Sequence, residues 1–337
     1  MKPTIALFAG DPAGIGPELV ARLLADGSAA REANVLLVGS RESIDAGMRT
    51  AGCRFAYDVG VPDAGARDLE RPLLVRSPVL DQAGFERGVV SAKSGRYMLD
   101  ALTHALGLCG SGAAGAICFA PLNKAALRAG GMGHPDELHW FAETLRFGGT
   151  CVELNVLEGL WTSRVTSHVA LSEVAALITR EKVALMIQLM HGSLAAAGVA
   201  SPRVAVCGLN PHNGDNGAYG REEIEVIGPG VELARSRGFP ADGPFPADTA
   251  FVRATRKTGG YDGVVTMYHD QGQIAMKLLG FERGVTVQGG LPMPITTPAH
   301  GTAYDIAGQG VANAGAMRNA FSLACRMAER SSATAPA

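Results

Sequence analysis

The sequence predicts an α/β protein built on a mostly parallel sheet, and three observations carry that expectation. Short apolar runs alternate with helical patterns of about 10 residues or more, the rhythm of strand–helix–strand units. Many of the 44 glycines fall in Gly-Asp, Gly-Gly or Asn-Gly contexts suited to strand-to-helix loops. One stretch breaks the rhythm: residues 151–157 and 160–165 flank Glu158-Gly159 and read as a hairpin, the best marker of a second domain. At 337 residues, with 47% hydrophobic and 18% charged, the chain has material for two domains or one large unit with a sizeable core.

In order, a first strand over 4–9 runs into the Gly-rich loop GDPAGIGPEL. A helix starts at Pro17-Glu18 and continues to Ala25, because proline suits a first helical turn and glutamate the positive end of the dipole. A strand over 34–39 and a helix over 41–51 follow, then a strand-like run at 71–75, a long amphipathic helix over 88–109 and a strand over 115–119. GHPDELHWFAE reads as a loop entering a helix. After the hairpin come the longest helical pattern (172–197), a strand (203–209), a helix (221–236) and a short helix (248–256). A strand over 263–267 ends at His269-Asp270, and a helix starts beyond it. Residues 284–288 read as a strand, a Gly/Pro-rich passage leads to His300, and a last helix covers 312–329. The expected division is 1–130 with 305–330 as one domain, 131–304 as the second, and a disordered tail over 331–337.

A net charge of −2 offers no electrostatic case for nucleic acid or an anionic membrane as partner. Six cysteines show no short metal-binding spacing and read as reduced core residues of a cytoplasmic protein. The opening MKPTIALFAGD reads as a strand and not as a signal peptide, and no apolar stretch reaches the roughly 18 residues of a membrane span.

The chemistry concentrates in MYHDQGQIAMK (267–277). His269 falls at a strand-to-helix junction, where α/β sheets bind ligands, and His269, Gln273 and Lys277 are spaced by four along one helical stripe. His168 ends the 160–165 strand and His212 follows the 203–209 strand, so three histidines stand at the carboxyl ends of three strands. Three imidazoles with few thiolates suit Zn²⁺, Ni²⁺, Co²⁺, Fe²⁺ or Mn²⁺ and leave positions open for substrate. Asp215, Asp248 and Asp270 are candidates to orient the rings, and His134 could meet a substrate anion. His104, His139 and His191 lie in helical patterns and read as structural or surface residues. GDPAGIGPE is neither a GxGxxG loop nor a P-loop, so by itself it says only that the backbone needs room at a strand end.

GDPAGIGPE, PLNK (121–124), Gly133-His134, NPHNGDNGAYGREE, DGPFPADTAF, YHDQG and HGTAYDIAGQG occur together in this order over nearly the whole chain. In this the sequence resembles the 4-hydroxythreonine-4-phosphate dehydrogenase family of vitamin B6 biosynthesis. The resemblance implies a two-domain α/β/α subunit of the isocitrate/isopropylmalate dehydrogenase-like type and a homodimer. It also implies NAD or NADP bound without a GxGxxG loop, and a divalent metal (Zn, Co, Ni, Mn, Fe or Mg) at the dimer interface, held by His168, His212 and His269.

The family's phosphate site uses a His-Thr pair, a Lys, an Asn and an Arg. This chain matches the His as His134 and the Lys as Lys277, but has Pro135, Thr286 and Ile295 at the other positions. Loss of the guanidinium fork points to an unphosphorylated substrate, as in relatives that act on carboxylated cis-dihydrodiols. The reading is therefore a metal-dependent NAD(P)-linked dehydrogenase that oxidises a hydroxy acid or carboxylated diol with decarboxylation. Lys277 is expected as acid/base or carboxylate partner and Asp270 as its helper. His134, Lys277, Thr286 and Ile295 are expected to line the small-molecule substrate, Ile295 as an apolar wall. The alternatives are turnover of 4-hydroxythreonine-4-phosphate itself, and a ligand-binding relative without turnover. His168, His212, His269 and Lys277 argue against the last.

Overall fold

The protein is described from a computed structural model covering residues 2–62 and 68–334. It divides into two compact units, Met1–Cys151 with Val285–Ala337, and Val152–Gly284.

The first unit opens with β1 (Thr4–Phe8), α1 (Gly16–Ala25), α2 (Ser28–Glu32), β2 (Asn34–Val38) and α3 (Arg41–Ala51). β3 (Asp58–Gly60), β4 (Leu73–Val75), α4 (Ala92–Gly110), β5 (Ala116–Phe119), α5 (Lys124–Ala129) and α6 (Glu137–Thr144) follow. Side-chain caps set several helix starts: Ser91 accepts from the Ser94 amide, Asn123 from Ala126 and Asp136 from His139, each at 3.0 Å. The Asn123 cap explains α5, a short helix in a stretch to which the sequence pattern assigns no element.

The second unit starts with the antiparallel hairpin β6 (Val152–Leu157) and β7 (Leu160–Arg164). α7 (Val174–Leu177) and α8 (Arg180–Ala196) replace the single helix expected over 172–197. Ile178 and Thr179 are extended there, and Thr179 accepts from the Lys182 amide at 3.2 Å, so a fresh cap ends one helix and starts the next. β8 (Val204–Cys207), a π-helical turn at Glu223–Ile227, α9 (Gly228–Ser236), β9 (Ala241–Phe245), α10 (Ala247–Ala254), β10 (Gly263–Thr266) and α11 (His269–Gly280) complete it. Its strand order is β6-β7-β10-β8-β9, parallel after the hairpin. β9 contains Gly-Pro and occupies the sheet edge, where a missing amide is tolerated.

The chain returns to the first unit with β11 (Val285–Gly289), β12 (Ile295–Pro298) and α12 (Gly315–Thr334). The order in that unit is β3-β4-β2-β1-β5-β12-β11. The sheet is layered. Ile295 belongs to the buried cluster that includes Tyr97, Leu127 and Phe141 from α4, α5 and α6, while Thr296 donates to the Ala320 carbonyl of α12 at 2.9 Å. The expected domain boundaries at 130/131 and 304/305 therefore move. β12 pairs with β5, and α6 packs in the same core, so both belong to the first unit. The expected tail also changes, because α12 continues to Thr334, and residues 335–337 lie outside those described.

Among the described residues no helix is long and apolar enough to cross a membrane. The six cysteines are free. Burial pushes the Cys118 and Cys207 thiols up to about 12, which keeps them as inert core groups.

Candidate metal centre

In the second unit β7, β10 and β8 lie side by side and parallel, so their carboxyl ends share one edge of the sheet. His168 stands just beyond β7 in left-handed backbone, φ 53°. His269 opens α11 just beyond β10. Their ring centroids are 5.7 Å apart, and they line a cavity of about 320 Å³ together with Thr166, Ser167, Tyr268 and Asp270. The two turns are stitched at their roots: Thr166 donates to the Met267 carbonyl through its amide (3.1 Å) and its hydroxyl (2.8 Å).

Asp270 Oδ1 lies 2.7 Å from His269 Nδ1. A carboxylate there holds the proton on Nδ1 and leaves the Nε2 lone pair for a metal, an arrangement common behind metal-bound histidines. Of the three aspartates expected to orient rings, all exposed, Asp270 is the one with a carboxylate oxygen on a histidine ring nitrogen.

His212 is exposed in the loop after β8, where His212, Asn213, Gly214, Asp215 and Asn216 all have positive φ. Its ring faces Tyr219, with centroids 6.4 Å apart. Among the described residues no three of His, Cys, Asp and Glu converge closely enough to hold a metal ion. The expected trio is thus gathered as a pair, His168 and His269, with His212 apart. The chemistry of the donors still fits a divalent metal: two neighbouring imidazoles, one ring already oriented by a carboxylate, and a third imidazole on the loop of the next strand.

The expected stripe on α11 is present. Gln273 donates to Asn155 Oδ1 at 2.5 Å, and Lys277 is exposed in the last turn. The remaining substrate candidates belong to the first unit. His134 Nε2 is paired with the Glu143 carboxylate, which competes with any anion for that ring. Thr286 and Thr297 face each other across the β11–β12 ladder, and both are buried. Ile295 is 0% exposed inside the apolar cluster, so its expected role as a substrate wall is corrected: it is a core residue. The alternation of β12 turns its side chain toward α4, α5 and α6.

Three of the recurring motifs meet in the first unit. The Asp11 amide donates to the Pro121 carbonyl (3.0 Å), the Ile15 amide donates to the Thr302 carbonyl (3.1 Å), and the Tyr304 hydroxyl donates to Asp11 Oδ2 (2.5 Å). Gly10 has φ 74°, and a Cβ on it would stand 2.5 Å from the Ala120 carbonyl oxygen, so the room inferred from GDPAGIGPE is real. Burial pushes the Asp11 carboxyl above its ordinary value, although Tyr304 and the Ala13 amide donate to it.

Sequence patterning missed three residues that organise the histidine edge. Buried Arg164 donates to Ser167 Oγ (2.9 Å), Asn155 Oδ1 (2.8 Å) and Glu153 Oε1 (3.0 Å), tying the hairpin to the turn of His168. A charged residue ending the apolar run LWTSR was the available signal. Gln271 accepts from the Met267 amide (2.7 Å) and donates to the Gly208 carbonyl (2.8 Å). Glu223 is buried and accepts from the amides of Leu209 and Asn210, both at 2.7 Å. These two lie inside the quoted motifs NPHNGDNGAYGREE and YHDQG, but nothing in either motif shows that their partners are backbone groups.

The family model described as pyridoxal phosphate biosynthetic protein PdxA matches residues 31–324. A Pseudomonas aeruginosa protein, provisionally named 4-hydroxythreonine-4-phosphate dehydrogenase 2, is 55% identical over 96% of this chain and 97% of its own. The crystal structure of 4-hydroxythreonine-4-phosphate dehydrogenase from Klebsiella pneumoniae is similar, with a TM-score of 0.84 and 33% identity over 97% of this chain and 98% of that one. A terephthalate 1,2-cis-dihydrodiol dehydrogenase from Burkholderia xenovorans LB400 is similar at a TM-score of 0.66 and 27% identity, over 94% of this chain and 95% of that one.

Proposed function

Because this chain belongs to the PdxA family, whose named relatives are dehydrogenases acting on a CH–OH group, we propose that it is a metal-dependent NAD(P)-linked dehydrogenase of a small hydroxy acid or carboxylated diol. The observation that carries this reading is the His168–His269 pair with Asp270 on Nδ1 of His269, at the edge of a parallel sheet. The metal set is His168, His212 and His269. When bound, the metal would polarise a substrate oxygen and the nicotinamide would accept the hydride.

The chain's own residues divide the remaining work. Asp270 fixes the tautomer and angle of His269. Arg164 and Thr166 hold the turn of His168 in place. Lys277, two helical turns from His269 on the same stripe, is the cation for a substrate carboxylate and the proton donor to the carbon that loses CO₂. A substrate without phosphate is favoured because Glu143 already pairs with His134. The second reading, 4-hydroxythreonine-4-phosphate itself, is favoured by the names of the relatives.

The test is a screen of hydroxy acids and carboxylated diols with NAD or NADP and added divalent metal, followed by the absorbance of reduced cofactor. Turnover is expected with metal, and dialysis against a chelator should reduce it to background. Full activity after chelation, with no residual metal by elemental analysis, contradicts the reading.

A homodimer is part of the proposal. On α11, Ile274 and Leu278 are 60% and 84% exposed and spaced by four, and Leu171, beside the turn of His168, is 71% exposed. Exposed apolar groups clustered around a site mark an interaction surface. Leu278→Asp should move sedimentation from dimer to monomer and remove most turnover. A Leu278→Asp protein that remains a dimer shows that this stripe is not the interface.

A further inference from the structure

We propose that Glu223 and Gln271 are positioning residues that hold the root of the His212 loop from two sides and so set where His212 stands. The proposal rests on the reading of His212 as a metal ligand. Glu223, 4% exposed, opens the π-helical turn Glu223–Ile227, a rare geometry often found at functional sites. Its Oε1 accepts from the Leu209 and Asn210 amides and its Oε2 accepts from Asn210 Nδ2 at 3.0 Å. The two amides belong to the first residues after β8, immediately before the left-handed run that carries His212.

That run is intrinsically unfavourable for residues with a Cβ, and it persists only where its surroundings over-determine it. Glu223 supplies the restraint at the start of the loop. Its Oε2 also fills the space beside Gly214, where an added Cβ would stand 2.7 Å away at φ +77°. Gln271 supplies the second restraint. It bridges the Gly208 carbonyl, at the end of β8, to the Met267 amide, at the end of β10. One side chain thus fixes the spacing between the roots of two histidine-bearing segments, and Glu223 fixes the direction in which the His212 loop leaves.

Neither residue carries a ring nitrogen or a reacting group: Glu223 acts through His212, and Gln271 through the roots of both His212 and His269. Substituting Gln at 223 keeps the shape but sets an amide NH₂ against Asn210 Nδ2, donor against donor. Substituting Leu at 271 keeps the volume and removes the bridge.

The experiment is calorimetric titration of the metal-free full-length protein with Co²⁺. Loss of a partner behind a metal ligand typically weakens affinity by about 10–100-fold, and that range is expected for Glu223→Gln and for Gln271→Leu. In a His212→Ala background Glu223→Gln should cause no further loss, whereas Gln271→Leu, which also releases the Met267 amide at the root of His269, should keep part of its effect. Gly214→Ala, whose added Cβ would press on Glu223 Oε2 from within the His212 loop, should show the same pattern as Glu223→Gln and keeps the test open if that variant does not fold. An unchanged Co²⁺ affinity, or an equal loss with and without His212, overturns the positioning role. A His212→Ala protein that binds Co²⁺ as tightly as the parent overturns the metal reading itself, and this proposal with it.

Discussion

His269→Ala should bind almost no divalent metal and turn over its substrate at least about a thousand-fold more slowly, while remaining folded. Stabilising the charge that develops on a substrate oxygen is worth several kcal/mol, at about 1.4 kcal/mol per tenfold in rate. His269 matters most of the three because it combines a ring oriented by Asp270 with direct proximity to His168. Its side chain is partly exposed in the first turn of α11, so its loss opens no cavity in the core. Metal content by elemental analysis and the steady-state rate decide the matter. Asp270→Asn should give a smaller loss, about 10–100-fold in metal affinity, because it removes the orienting charge and not the ligand.

The second large effect concerns phosphate. A hydrogen bond to a charged group contributes about 1.5–3 kcal/mol, so with His134 held by Glu143 the loss of one such bond should weaken transition-state binding of a phosphorylated substrate by about 10–10²-fold. The kcat/KM for 4-phosphohydroxythreonine should therefore fall well below that for an unphosphorylated carboxylated diol or hydroxy acid. Equal or better turnover of the phosphorylated compound favours the second reading. Ile295→Arg would not repair the site. It buries a guanidinium among the apolar groups around Phe141, and an uncompensated buried charge costs several kcal/mol, so this variant should melt earlier instead of gaining phosphate activity.

Much of the site was legible in the sequence for local reasons. A strand followed by His-Asp and then an amphipathic helix can form only one kind of junction, and His269 lies at it. The same holds for His168 after the hairpin. The place of His212 was not legible. Its loop takes five positive φ values in succession, held by a carboxylate from Glu223 and a bridge from Gln271. Glu223 ends the motif that carries His212 and Gln271 lies in YHDQG, but their hydrogen bonds to backbone groups are not visible in either pattern. Ile295 was misread for a related reason: a position in a strand is evident from sequence, but which face it presents depends on register, and one residue of alternation exchanges a cleft for a core. The division of the 172–197 helix hung on a single cap, Thr179, inside an otherwise continuous pattern.

The most direct test of the account is anomalous diffraction at the cobalt edge from crystals of the Co²⁺-loaded protein. The account predicts one strong peak for each chain, with an imidazole nitrogen from each of His168, His212 and His269 at about 2.0–2.2 Å, the usual range for such bonds. A peak bound by His168 and His269 alone, or a peak away from all three, contradicts it.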